Sequence, residues 1–182
     1  MAKTHPALDA RLAAFIEAQP VFFVASAPLS PDGHVNLSPR GLDTLRILDA
    51  TRVAWLDLTG SGNETSARLQ ENGRITLMFC AFSGKPKILR LYGQGRTVLP
   101  GDADWHALEA HFPPHPGMRQ IIDVRVNRIQ SSCGFGVPEG ELHPRTTLTE
   151  WSERKGADGL HEYWRTRNAV SLDGLPTPLG KC

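Results

Sequence analysis

Cysteine is scarce in this chain. Cys80, Cys133 and Cys182 are widely separated, odd in number and without C-x-x-C spacing, so neither a disulfide framework nor a zinc cluster is expected, and a reducing cytoplasm is. Long apolar runs are missing as well. The N-terminal MAKTHPALDARLAAF is interrupted by Asp9 and Arg11, which excludes a signal peptide or a membrane span there. No block of like charge stands out among 20 basic and 19 acidic residues, so nothing calls for a nucleic-acid or membrane partner, and a small-molecule substrate is the default. Internal repeats and low-complexity tracts are also absent. What remains, 182 residues, suits one domain with a core at about 20–138 and a C-terminal helical extension and arm at 139–182.

Apolar residues at Leu8, Leu12, Phe15 and Ile16 share one helical face between Pro6 and Ala18, and Pro20 stops that helix. The run VFFVASA, Val21 to Ala27, reads as a buried strand; Ser30 to Gly33 then reverses the chain. In the returning strand, His34 to Ser38, Asn36 and Ser38 alternate with Val35 and Leu37, so one face can meet a ligand while the other packs. Arg40 stands just past its end as a counter-charge. An irregular or extended connection, Leu42 to Ala50, leads to a strand at Arg52 to Leu58. The stretch ITLMFCAF, Ile75 to Phe82, is apolar on both alternating faces, as expected of the most central strand. In the strand Ile88 to Leu99, Gly93 and Gly95 mark a bend or a close backbone approach. A helix carries Trp105, Leu108 and Phe112 and ends at Pro113. A half-buried strand around Ile122 to Asn127 runs on into SSCGFGVP, helical segments follow at Thr149 to Lys155 and Leu160 to Asn168, and the tail SLDGLPTPLG reads as an extended arm. Short strands at close spacing favour a small β-barrel over a doubly wound parallel sheet.

Between the strand ending at Leu58 and the next helix lies TGSGNET, with two glycines and four small polar side chains. Backbone N–H groups in such a turn can converge on one anion, so Ser61, Gly62, Asn63, Glu64 and Thr65 form a candidate phosphate site. Ser61 and Glu64 have capping-box spacing, Glu64 and Arg68 are four apart, and Gly73 follows the last turn, so the same residues also serve as ordinary caps of a surface helix. No lysine follows the last glycine, which excludes a nucleoside-triphosphate loop.

Taken together, HVNLSPRG on a strand, WLDLTGSGNET before a short helix, ENGRITLMFCAF on the next strand and RLYGQGR after it resemble the pyridoxamine 5′-phosphate oxidase-like family of FMN-binding split barrels. The resemblance is clearest from Phe22 to about Arg96. It implies a mainly β fold with peripheral helices (α+β), an antiparallel split β-barrel that forms a homodimer with FMN at the subunit interface. By that resemblance Ser61, Gly62, Asn63, Glu64 and Thr65 meet the FMN phosphate, Arg68 and Arg40 stand nearby as charge partners, and Asn36, Leu37 and Ser38 lie along the isoalloxazine. It further implies an oxidoreductase acting on a small molecule, with NADH or NADPH as electron donor. Alternatives within the fold are bound F420 or haem, a non-enzymatic flavin-binding or sensing protein, and a barrel serving only as an interaction module. Two departures matter: Glu64 is a carboxylate where the family's oxidases carry basic residues, and the C-terminal arginine and tryptophan pattern that holds pyridoxal phosphate is missing, so true pyridoxamine 5′-phosphate oxidase activity is not expected.

Other chemistry-bearing residues have plainer readings. Cys133 reads as a packed thiol, His34 as a solvated hairpin residue, and His106, His111 and His115 as too poorly spaced around prolines for a metal site.

Overall fold

A computed structural model describes residues 2–181, so Cys182 lies outside the described residues. Eight strands run through it: β1 (Lys3–His5), β2 (Phe22–Ser26), β3 (Asn36–Arg40), β4 (Leu45–Asp49), β5 (Arg52–Leu58), β6 (Arg74–Cys80), β7 (Ile88–Val98) and β8 (Met118–Ser132). All pair antiparallel in one sheet of order β3-β2-β6-β7-β8-β5-β4, with β1 added to β8. The sheet is not closed, and β3 and β4 are its edges.

Four helices surround this sheet: α1 (Ala10–Glu17), α2 (Glu64–Asn72), α3 (Trp105–Glu109) and α4 (Thr147–Arg167). α1 starts later than its apolar pattern, because the Asp9 carboxylate accepts the Leu12 N–H at 2.8 Å and so caps the helix at Ala10. Its Leu12 and Ile16 are buried against the sheet. α4 consists of two helical pieces meeting at Gly156, as the two separate helical patterns in the sequence lead one to expect.

Two apolar clusters lie on the two sides of β5 and β8. Val53 and Trp55 of β5, with Ile122 and Val124 of β8, pack into the larger one alongside Val24, Leu77, Leu89 and Leu91. Ala54 and Leu56, with Ile121, pack into the other, which α3 covers with Trp105 and Leu108. Each fully buried side chain of this size contributes about 1.5–3 kcal/mol. The doubly buried strands are therefore β5 and the first half of β8, and not β6: β6 buries Ile75, Leu77 and Phe79 on one face while Thr76 and Met78 on the other stay half-buried.

Other differences from the sequence pattern are local. Leu45–Asp49 forms an edge strand where an irregular connection was equally expected, β1 is an additional strand, and β8 stops at Ser132 before the glycines of SSCGFGVP. Gly93 meets its expectation of a close approach. The β7–β8 register shifts between Tyr92 and Gly93, and a Cβ at Gly93 would lie 2.2 Å from the Arg125 carbonyl oxygen. Gly73 ends α2 in the left-handed conformation. No helix is long and apolar enough to cross a membrane among the described residues.

Candidate functional site

The glycine-rich turn leaves β5 and enters α2 above a buried polar network centred on Asp57. β5 and β8 pair Asp57 with Gln120 and Leu58 with Met118, so Arg119 is the extra residue of a bulge. Consecutive side chains of a regular strand point to opposite faces; the bulge instead lets Arg119 and Gln120 both reach the same carboxylate. Arg119 Nε donates to Asp57 Oδ2 at 2.9 Å and Gln120 Nε2 donates to the same oxygen at 2.7 Å. Arg40, at the end of β3, places Nη2 3.3 Å from the other oxygen, Oδ1, as an ion-pair contact without hydrogen-bond alignment. Burial pushes the Asp57 carboxyl up, but the Arg119 and Arg40 guanidiniums and the Gln120 amide outweigh it and hold the group below the ordinary carboxylate range.

From this base the turn is pulled inward by its carbonyls. Arg119 Nη1 donates to Gly62 O at 3.0 Å and to Asn168 Oδ1 at 2.8 Å, while Asn168 Nδ2 donates to Gly60 O at 3.0 Å. A trans peptide sets its N–H opposite its C=O, and no peptide here is cis. Anchoring the Gly60 and Gly62 carbonyls inward therefore turns the N–H groups of Ser61 and Asn63 outward. Just beyond, α2 begins at Glu64 with Asn63 as N-cap, and that side chain caps nothing: its Oδ1 accepts from Gln120 at 2.7 Å inside the network. The capping-box reading of Ser61 and Glu64 is thus corrected. The first-turn N–H groups of α2 receive no side-chain cap, and together with the outward N–H groups of the turn they supply backbone donors of the kind that hold an anion.

β3 supplies one wall. Asn36 Nδ2 donates to Thr65 Oγ1 at 3.2 Å, and Ser38 Oγ donates to Asn36 Oδ1 at 3.0 Å, so Asn36, Ser38 and Thr65 are linked in a row that Arg40 continues along the same face of the strand. Leu37 points to the opposite face and is exposed. Arg40 Nε is buried and makes no hydrogen bond to any described residue.

Glu64 and Arg68 are turned elsewhere. Arg68 is buried and gives Nη1 to Glu64 at 2.6 Å, and Nη2 to the His34 carbonyl at 2.8 Å and to Asp173 at 2.9 Å. Glu64 also accepts the Leu172 N–H at 2.9 Å, and Asp173 accepts from the His34 backbone at 3.0 Å and contacts its ring at 2.7 Å. Arg68 therefore acts behind the turn, joining α2 to the C-terminal segment and to the start of β3. His34, expected to be merely solvated, is part of that junction. The tail itself is docked rather than free: Thr177 Oγ1 donates to the Asn168 carbonyl at 2.5 Å, Thr177 and Leu179 are buried, and Trp164 Nε1 donates to Thr59 Oγ1 at 2.8 Å.

The family model described as pyridoxamine 5′-phosphate oxidase matches residues 8–133. The pyridoxamine 5′-phosphate oxidase family protein ustO of Aspergillus flavus is 37% identical, over 87% of this chain and 70% of that one. The chain belongs to the pyridoxamine 5′-phosphate oxidase family. Solved structures agree on the fold: the HupZ protein of Group A Streptococcus superposes with a TM-score of 0.53 at 18% identity, covering 67% of this chain and 91% of that one. A putative pyridoxamine 5′-phosphate oxidase from Lactobacillus delbrueckii gives 0.53 at 12% identity, covering 70% and 98%. The mainly β, antiparallel split-barrel architecture with peripheral helices is thereby established. The pyridoxamine 5′-phosphate oxidase family match ends at Cys133, so Asn168, which anchors the turn, and Asp173, which holds Arg68 and His34 behind it, lie in a segment beyond it.

Asp57, Arg119, Gln120, Asn168 and Asp173 are the members of this constellation that sequence patterns pass over. Asp57 does carry a signal, a carboxylate inside the apolar strand VAWLDL, because such a group has to find a cation. Arg119 and Gln120 carry none, since only the bulge brings them together.

Proposed function

We propose that this protein is an FMN-binding homodimeric flavoprotein that passes electrons between a reduced nicotinamide, NADH or NADPH, and a small molecule in a reducing cytoplasm. The observation that carries the reading is the turn at Ser61–Thr65, whose carbonyls are held inward by Arg119 and Asn168 while its N–H groups face out beside the uncapped start of α2. A phosphate monoester fits such a donor surface, with Thr65 and Asn36 at its rim and the unpaired Arg40 Nε nearby. Asn36 and Ser38 of β3 would then run along the isoalloxazine, while Leu37, which the family resemblance also puts there, lies on the other face of the strand. Glu64 and Arg68 flank the phosphate from behind, with the carboxylate tied to Arg68 and to the Leu172 N–H.

Bound FMN supplies a ring that takes up and releases electrons; the chain binds it, orients it and keeps water from its face. Five clefts of the single chain, of about 280 to 770 Å³, are lined by residues outside the turn. A second copy against β3 would provide the missing cover for the ring. The missing pyridoxal-phosphate pattern directs the reading to another small molecule as substrate.

An absorbance scan of the untreated protein, with mass spectrometry of what heat releases, tests the binding. An FMN spectrum and mass are expected, and reduction by NADH or NADPH should bleach it. A Soret band or an F420 spectrum would replace FMN with that group. A colourless protein that takes up no added FMN would overturn the reading, and a flavin that no nicotinamide reduces would overturn its electron-transfer part.

A further inference from the structure

A separate cleft of about 770 Å³ opens between α1, β1, the β6–β7 turn and the end of β8. Its charge is one-sided. Lys3, Arg11, Lys85 and Lys87 line it together with His5, and no aspartate or glutamate does. Over the whole chain basic and acidic residues nearly cancel, to a net charge of +1, so this concentration is a property of the place. Among the described residues Lys3, Lys85 and Lys87 form no ion pair. Arg11 has only Asp9, at 3.9 Å, and the other oxygen of Asp9 is engaged in capping α1.

The cleft also has an apolar side. The Lys87 ammonium stands 4.2 Å from the centre of the Phe15 ring, and Leu12, Ala81 and Pro86 continue that surface. Hydroxyls of Ser131 and Ser132 border it, and His5 Nε2 lies 2.8 Å from Ser131 Oγ. Burial first, and then neighbouring cations, act on the groups themselves: burial, Lys3, Lys87 and Arg11 lower the His5 pKa and burial and Arg11 lower that of Lys87, with nearby Asp9 opposing the shift in both.

We propose that this cleft binds a small organic anion, a carboxylate or phosphate ester on an apolar body, at a place distinct from the turn before α2. Four cations without lining carboxylates supply the attraction, the serine hydroxyls and His5 supply directional hydrogen bonds, and Phe15 with its apolar neighbours receives the rest of the molecule.

Calorimetric titration of the protein loaded with one FMN per chain and freed of unbound FMN, so that a phosphate site at the turn is filled while the cleft is not, tests this with inorganic phosphate, phenyl phosphate and benzoate. Phenyl phosphate should bind more tightly than inorganic phosphate, and comparison with benzoate tells which anionic group is preferred. The double variant R11Q/K87Q should weaken binding by about tenfold or more while T65A leaves it unchanged. A second readout uses Cys133, which is exposed rather than the packed thiol its sequence context suggests, lines the cleft, and has its thiol pKa lowered chiefly by the Phe135 N–H. The ratio of its alkylation rates by anionic iodoacetate and neutral iodoacetamide, measured on the Cys133 peptide, should fall several-fold in R11Q/K87Q and with added salt. Absence of binding by all three probes at millimolar concentration, binding that survives the double substitution, or an alkylation ratio that does not move would each overturn the proposal.

Discussion

Asp57 is a carboxylate in a strand buried on both faces, and such a group is tolerated only with cations at hand. Arg119 is its chief partner, and the pair is almost free of solvent contact. Asparagine at position 57 keeps the shape and removes the charge, which strands the guanidinium of Arg119 in the interior. D57N should cost about 3–5 kcal/mol, read as a lower urea midpoint at neutral pH. Adding R119M should recover part of that loss, because the stranded charge goes with it, and the double-mutant cycle measures the coupling. If nothing is recovered, the bonds from Arg119 to Gly62 and Asn168 outweigh its charge pairing. Acid probes the same carboxylate. Its folded pKa is held below the ordinary 3.8, so its contribution is complete above that value and is lost as pH falls from there through the depressed folded value. Asp123 follows the same rule: burial raises its pKa, and hydrogen bonds from Arg52 and Arg96 more than offset this. Urea midpoints measured through the acid range should therefore fall steeply below about pH 4 in the wild-type protein and less steeply in D57N.

At the level of elements, the turn before α2 depends on a C-terminal segment more than a hundred residues away. Asn168 bonds the Gly60 carbonyl with one end of its amide and Arg119 with the other, and it is fully buried. N168A leaves a buried carbonyl and a buried guanidinium N–H without partners, at a cost of about 2–3 kcal/mol. Because it also frees the turn, FMN should be released faster on dilution; unchanged release would remove the inward-held carbonyls from the binding argument. The strands that were legible beforehand are those whose side chains state their period or their composition: VFFVAS, RVAWLDL and the glycine-marked β7 all lie close to where their patterns put them. β1 is not legible, because three polar residues, lysine, threonine and histidine, join the sheet only at β8, by strand pairing and a His5–Ser131 side-chain bond that local pattern does not announce. The start of α2 departs from its local pattern for a related reason: Ser61 and Glu64 have the spacing of a cap, but the Leu172 N–H joins Arg68 on the carboxylate and Gln120 takes the Asn63 side chain. Local spacing cannot register partners contributed from another part of the chain.

On the scale of the whole molecule, the open sheet leaves β3 as an edge strand, and edges in soluble proteins are normally short, charged or covered. β3 is short, yet the hairpin that leads into it presents Val35 at 71% and Leu37 at 63% exposure, with Leu29 close by in sequence and also exposed. The inward face of the same strand carries Asn36, Ser38 and Arg40, the row that touches Thr65 and Asp57. One strand thus offers an apolar face outward and a polar face toward the proposed phosphate site, which is what a cofactor shared between two copies requires. V35E/L37E changes only the outward face, so the fold and the turn should persist while like charges meet across any two-copy interface formed there. If the proposed dimer forms through this edge, sedimentation should show a dimer for the wild-type protein and a monomer for the variant, and flavin content should fall with it. A variant that stays dimeric and fully yellow would place the interface elsewhere. One that becomes monomeric but keeps FMN at full occupancy would mean that a single chain suffices to hold the ring, and that the apolar edge serves association alone.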